Sequence, residues 1–255
     1  MPYSWVTREL TLDREYTRGD KGSKVRGIQE WLSLQGQSVS IDGAFGPATE
    51  AAVRKFQTGS GMTVTGRVDP TTFAALATPL ASAVAPIAAA GTTLNDMILA
   101  YANQHLAQHP VETGGQNCGP WVRVYMEGNQ GTDWPWCAGF SCFILRQSAD
   151  ALGEAMPFKR TFSCDVLASQ AIASGRFISA RDIAKGKVQK GDIPPGSLFI
   201  NRRTDNDWNH TGIAIALHDD HFESIEGNTN DAGDREGYEV CRRIRGYEGK
   251  DFVRI

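Results

Sequence analysis

The residues best suited to covalent chemistry lie in the string TDWPWCAGFSCFILRQ, residues 132–147. Pro135 precedes a run that reads as a helix, which puts Cys137 in the first helical turn. A thiol there meets the positive end of the helix dipole and unpaired backbone amides, and both favour thiolate. Ala138 and Gly139 are small enough to let a substrate approach the sulfur, and the backbone N–H of Cys137 is a natural oxyanion donor. A thiolate nucleophile needs a base, and the base needs a group to orient it. Among the five histidines, His105, His109, His210, His218 and His221, His210 stands apart. Asn209-His210-Thr211-Gly212 opens the alternating segment Ile213–Leu217, a strand that would hold an imidazole rigidly. Ser224-Ile225-Glu226-Gly227-Asn228 closes the next strand. A hairpin between the two brings Glu226 or Asn228 beside His210, where either would accept from the ring N–H and fix its tautomer.

The other reactive side chains carry weaker patterns. Cys118, within Gln116-Asn117-Cys118-Gly119-Pro120, also precedes a helix and is the competing nucleophile. Cys142 falls inside the Cys137 helix as a small core residue, and Cys164 and Cys241 carry no motif. No CxxC or Cys/His pattern suggests zinc, and an odd number of cysteines suits reduced thiols. His218-Asp219-Asp220-His221 reads as a solvated turn, and Asp205-Asn206-Asp207 lacks the rest of a calcium loop. No metal site and no cofactor are therefore expected. Trp134, Trp136 and Trp208 flank the candidate residues and serve either a substrate groove or packing.

These side chains need elements to hold them. Helices are expected near Leu94–His105, Pro120–Met126, Cys137–Leu152 and Asp165–Ser174. Strands follow at Ser197–Asn201, His210–Leu217 and His221–Glu226, with shorter ones near Glu239–Arg243 and Asp251–Arg254. Helices first and strands afterwards predict an α+β domain with an antiparallel sheet. Upstream, residues 79–93 are Ala- and Pro-rich and read as an interdomain linker, separating domain 1–78 from domain 94–255. In the first domain Val25, Ile28 and Leu32 share a helical face that stops near Gly36. Pro47 starts a second helix carrying Val53 and Phe56, and Asp69-Pro70 starts a third carrying Phe73 and Leu76. Trp31, Phe45 and Phe56 are read as core of this small bundle.

Two stretches resemble known families. Residues 19–76, with Gly19, Gly22, Val25, Ile28-Gln29, Leu32, Asp42-Gly43, Phe45-Gly46, Thr49, Val53, Phe56-Gln57, Gly66 and Asp69 in order, resemble the peptidoglycan-binding domain of bacterial and phage wall hydrolases. That resemblance implies a three-helix, non-catalytic module that holds its partner domain on murein. Residues from about 94 to 255 resemble the CHAP domain, the cysteine, histidine-dependent amidohydrolase/peptidase family within the papain-like and NlpC-type group. The resemblance is carried by WCAGF at Cys137, PGSLFI, NHTGIAI at His210 and IEGNTN at Glu226. It implies that Cys137 attacks an amide carbonyl, that His210 activates it, and that Glu226 or, second, Asn228 completes the site.

Bulk composition agrees with this reading and removes other classes. The 255 residues suit two domains, and 41% hydrophobic with 22% charged residues is ordinary for a globular chain. A net charge of −3 leaves no footprint for nucleic acid. The glycines show neither GxGxxG nor P-loop spacing. The start MPYSWVTRELTLDREY has no apolar segment of a secretory signal, and no apolar run reaches the ~20 residues a membrane span needs. The expected activity is amide hydrolysis in bacterial peptidoglycan, at the muramoyl–L-alanine bond or within the stem peptide. The settings are a phage endolysin or an exported antibacterial effector, made in the cytoplasm and acting on the wall. An immunity protein or a secretion component would be a further partner in the second setting. The alternatives are a non-catalytic wall binder with an inactive papain-like domain, and a papain-like acyltransferase.

Overall fold

In the computed structural model, residues 3–88, 92–230 and 237–255 are described. In chain order the helices are α1 (Ser4–Leu10), α2 (Ser23–Leu34), α3 (Pro47–Gly59), α4 (Pro70–Leu76), α5 (Thr78–Ala83), α6 (Leu94–Leu106), α7 (Pro120–Tyr125), α8 (Cys137–Leu152), α9 (Cys164–Ala173) and α10 (Ala180–Ala184). The strands are β1 (Phe177–Ile178), β2 (Leu198–Thr204), β3 (Asp207–Leu217), β4 (His221–Thr229), β5 (Glu239–Gly246) and β6 (Lys250–Val253). Two compact units form: residues 1–84 with 111–134, and residues 85–110 with 135–255.

Local signals explain the helix ends of the first unit. Pro47 and Pro70 occupy first-turn positions, where the missing N–H costs nothing, and the Asp69 carboxylate caps α4 by accepting from Thr72 N. Two buried glutamines then saturate the loops between helices. Gln29 donates to Asp42 Oδ1, Ala44 O and Thr49 Oγ1 while its own oxygen accepts from Gly43 N. Gln57 repeats the arrangement with Thr65, Arg67 and Thr72, accepting from Thr65 N and Gly66 N. Each glutamine thus ties its loop to the helix that carries it, beside a core in which Ile28, Leu32, Phe45, Val53 and Phe73 are buried. Trp31, Phe45 and Phe56 are all buried there.

This unit is larger than a three-helix bundle. The expected linker at 79–93 begins in fact with helix α5, whose Leu80 and Ala83 are fully buried. Alanine-rich sequence forms helix readily, and Leu80 supplies the apolar anchor that a linker reading overlooks. Residues 89–91 of that expected linker lie outside the described residues. Segment 111–134, expected in the second domain, joins the first unit through α7, which packs on α1 and α2.

The second unit is mixed α and β. Its sheet is antiparallel, in the order β1-β6-β2-β3-β4-β5. Phe199, Ala214, Phe222 and Phe252 from four strands cluster with Ile178, Ile183 and Ile193. Helix α8 packs on β3, β4 and α6, while α9 packs on β3. A Cβ on Gly227 of β4 would lie 2.7 Å from Phe140 Cβ and 2.8 Å from Trp136 Cζ3, so the absence of a side chain there lets α8 seat directly on the strand. Gly153 ends α8 with φ 71°, the left-handed geometry that glycine adopts without strain.

Candidate active site

The helix expected at Cys137–Leu152 forms with those bounds, so Cys137 is its first residue. Its sulfur is buried and lies 3.9 Å from Cys164 Sγ, at the first residue of α9. The Cys164 thiol, the His210 imidazole and the backbone N–H of Thr211 each favour charge on it. Together they hold the Cys137 thiol well below its ordinary value of 9.0, with the Cys164 contact first, against the opposing cost of burial. Cys164 moves the other way, well above 9.0, because a neighbouring thiolate and burial both oppose a second charge. The charge belongs on Cys137, since it is Cys137 that faces the imidazole and the Thr211 amide.

His210 stands on β3 and is buried. Its Nε2 lies 2.7 Å from Glu226 Oε2, and its Nδ1 makes no hydrogen bond of ordinary geometry. Burial disfavours the imidazolium, but the Cys137 sulfur and the Glu226 carboxylate outweigh it and raise the ring to about 9. Glu226, on β4, is fully buried and held by three partners besides the solvent it has lost. Arg245 of β5 donates from Nε to Oε1 at 2.8 Å and from Nη2 to Oε2 at 2.6 Å, a two-point clamp. Ser224 Oγ donates to Oε1 at 2.6 Å. Burial alone would raise the Glu226 pKa, but Arg245 first and His210 second bring it to about 2. The array therefore runs thiolate, imidazolium, carboxylate, guanidinium, with charges alternating in sign and the last two pairs joined by hydrogen bonds.

Backbone geometry makes the His210–Glu226 contact feasible. Ile213 pairs with Ile225 across β3 and β4, so Gly212 lies opposite Glu226 one step along the ladder. A Cβ on Gly212 would sit 2.6 Å from Glu226 Cγ and 2.8 Å from Phe199 Cε1. The glutamate side chain crosses the strand through the space that glycine leaves, and reaches His210 two residues away.

Of the residues singled out in the sequence, Cys137, His210 and Glu226 come together. Asn228 is buried near the end of β4 with φ 56°, and the acceptor at His210 Nε2 is Glu226. Cys164, Arg245 and Ser224 were not singled out. Ser224 and Arg245 had a signal available, since antiparallel pairing and two-residue alternation put them on the face of Glu226. Cys164 had none, because its approach depends on how α9 packs. Cys118 lies in the first unit, and burial pushes its thiol up rather than down. Trp208 is buried and donates from Nε1 to Asp251 Oδ2 at 2.6 Å, and Trp136 is buried against Gly227, so both serve packing. Asp205 pairs with Arg202 and Arg181, and Asp207 pairs with Arg203. His218 and His221 stack on each other at 4.4 Å and face Glu223 and Asp220. Among the described residues no three His, Cys, Asp or Glu side chains converge as a metal site would require.

Residues 21–76 match the family model described as a putative peptidoglycan binding domain. The chain is 40% identical over 60 residues to the zinc D-Ala-D-Ala carboxypeptidase of Streptomyces albus G, covering 22% of this chain and 24% of that one. It is 44% identical over 62 residues to an uncharacterised protein from the bpoA1 3' region of Kitasatospora aureofaciens, covering 24% of this chain and 52% of that one. The chain thus spans about a quarter and about half of the length of these two relatives. Among solved structures, a fused Zn-dependent amidase/peptidase/peptidoglycan-binding domain-containing protein from Clostridium acetobutylicum is 36% identical, with a TM-score of 0.25 over 25% of this chain and 28% of that one. The family match ends at residue 76 and so does not include Cys137, His210 or Glu226.

Proposed function

We propose that this chain hydrolyses an amide bond of bacterial peptidoglycan, with the first unit holding the wall and Cys137 cutting it. The observation that carries the chemical part is the run Cys137–His210–Glu226–Arg245, its first three side chains buried, in which the thiol is drawn down and the imidazole drawn up. The peptidoglycan-binding domain at residues 21–76 supplies the substrate class. An α+β unit with its cysteine at a helix start and its histidine on an antiparallel strand supports a papain-like, CHAP-type assignment.

In this mechanism the resting site is a thiolate–imidazolium pair. The sulfur attacks the amide carbonyl, and the Cys137 N–H at the open end of α8 stabilises the oxyanion. The imidazolium gives its proton to the departing amine, leaving a thioester on Cys137. A water, deprotonated by the now neutral His210, then hydrolyses the thioester and restores the pair. Glu226 keeps Nε2 protonated throughout, so that Nδ1 is the nitrogen that exchanges protons with substrate. Arg245 prevents Glu226 from taking that proton itself.

Digestion of purified sacculi, followed by mass spectrometry of the fragments, tests the reading. Free lactyl groups with new L-alanine amino termini identify an amidase, and split stem peptides or cross-bridges identify an endopeptidase. Undigested sacculi with wild-type protein, or equal digestion by Cys137→Ala, would refute the cysteine mechanism. Incorporation of an added amine without net hydrolysis would point to acyl transfer instead.

A further inference from the structure

The first unit encloses a cavity of about 220 Å³ whose walls come from α1, α2, α4 and the chain around α7. Trp5, Arg8, Lys24, Phe73, Arg123 and Gln130 are among its lining residues, and four of these six lie outside the stretch that matches the binding-domain family. At its base Arg123 bridges two glutamates. Nε and Nη2 donate to the two Glu9 oxygens at 2.8 Å each, Nη2 also donates to Glu30 Oε2 at 2.8 Å, and Nη1 donates to Gln130 at 2.9 Å. Arg26 Nε meets the remaining Glu30 oxygen at 3.2 Å. Two arginines therefore neutralise two carboxylates, and every carboxylate oxygen has a donor.

Two cations are left over. Lys24 Nζ donates to the carbonyls of Arg8 and Thr11, at 2.9 and 2.8 Å, and stands 5.3 Å from the Phe73 ring centre. It has no carboxylate partner among the described residues, and neither has the exposed Arg8 guanidinium. The cavity lining therefore carries more cationic than anionic side chains, Arg8, Lys24, Arg26 and Arg123 against Glu9 and Glu30, beside Trp5 and Phe73. The wall residue Trp31 adds a buried indole N–H without an acceptor in the protein, an unusual omission that a bound acceptor would relieve.

We propose that this cavity binds the carboxylate-bearing end of a murein stem peptide, with Arg8 and Lys24 taking the carboxylate and Trp5 and Phe73 packing on the adjoining aliphatic part. Charge decides for peptide over glycan, because the N-acetylated sugars are neutral and the stem peptide ends in carboxylates. Size agrees: about 220 Å³ is below the ~300–1,000 Å³ typical of sites for drug-sized ligands, so it takes a terminal residue rather than a disaccharide. This inference rests on the wall-binding reading and adds the chemical group that is held.

The test uses the full chain carrying Cys137→Ala, so that the probe is not consumed. A soluble disaccharide–tetrapeptide with free carboxylates is titrated calorimetrically, alongside the same compound with its carboxylates converted to amides. Binding of the free acid should weaken about tenfold in Arg8→Ala and again in Lys24→Ala. The amidated probe should bind wild-type contacts about tenfold less tightly and lose nothing more in Arg8→Ala. Because Lys24 also ties α2 to α1 through two carbonyls, the exposed Arg8 is the decisive variant. Equal affinity for acid and amide, no change in Arg8→Ala, or no muropeptide binding by protein that still sediments with sacculi would each overturn the assignment of the cavity. Failure to sediment with sacculi would instead remove the wall-binding reading on which it stands.

Discussion

Cys164 Sγ lies 3.9 Å from Cys137 Sγ, each sulfur at the first residue of its own helix and both buried. Neither is in a disulfide. The pair works as an acceptor and a donor: the Cys164 proton stabilises charge on Cys137, and its own ionisation is suppressed in return. Cys164→Ala should shift the pH midpoint of Cys137 alkylation upward. Cys164→Ser keeps an O–H donor and should recover most of that shift. Identical midpoints in wild type and Cys164→Ala would show that the second thiol has no electrostatic role.

Alkylation also separates the two candidate nucleophiles. Cys137 is drawn towards thiolate by a helix start, an imidazole and a thiol, whereas burial pushes Cys118 away from it. A limiting amount of iodoacetamide at neutral pH should modify Cys137 first, and loss of activity should follow that modification one for one. Peptide mapping that finds Cys118 modified first, with activity lost in step, would reverse the assignment.

The sequence made the helix at Cys137 and the hairpin at His210 legible because both rest on local rules. A proline before a helical run marks the start of α8, and two-residue alternation with a short turn marks β3 and β4. The residues alone left Glu226 and Asn228 both open, and only the family resemblance put Glu226 first; the Arg245 clamp that holds Glu226 comes from β5 through sheet register. Cys164 was hidden, since its motif-free helix meets α8 only through tertiary packing. The boundary of the first unit was missed because segment 111–134 crosses back to α1 and α2, where Arg123 finds Glu9 and Glu30. Long-range ion pairs of that kind leave no periodic trace.

The charged array predicts a stability maximum with two defined limbs. Glu226 is depressed from its ordinary 4.5 to about 2, so its contribution is complete above 4.5 and is lost as pH falls towards 2. His210 is raised from 6.5 to about 9, so its contribution is complete below 6.5 and is lost as pH rises through 9. Cys137, held well below its ordinary 9.0, acts in the opposite sense, its contribution growing as pH rises towards 9.0, so it offsets the decline from His210 and denaturation midpoints should be highest between about pH 6.5 and 9. Activity should decline above about pH 9, when the imidazolium loses the proton it gives to the leaving amine. Arg245→Met leaves the Glu226 carboxylate with His210 and Ser224 only, and should cost about 3–5 kcal/mol while moving the acid limb to higher pH. Cys137→Ala removes the thiolate and should move the alkaline limb of stability to lower pH. If that limb stays at the same pH in Cys137→Ala, the sulfur and the ring are not coupled.

Gly212 offers a test of positioning that leaves every chemical group in place. The added methyl of Gly212→Ala would meet Glu226 Cγ at 2.6 Å and Phe199 Cε1 at 2.8 Å, so the glutamate side chain must leave its path across β3. Phe199 belongs to the core cluster and yields less readily than Glu226, whose displacement breaks the contact with His210. Loss of the orienting carboxylate should lower turnover on the order of 10²-fold, as misplacement of about 1 Å does elsewhere. Substrate binding by the first unit should be unchanged. Gly246→Ala, at the end of β5 with nothing within 4 Å of the added methyl, is the matched control and should keep wild-type turnover. A direct reading comes from the His210 ring by NMR: in Gly212→Ala its titration should move back towards 6.5 as Glu226 withdraws. Full activity together with an unmoved titration in Gly212→Ala would mean that the His210–Glu226 contact tolerates rearrangement and that the carboxylate is not the group that orients the ring.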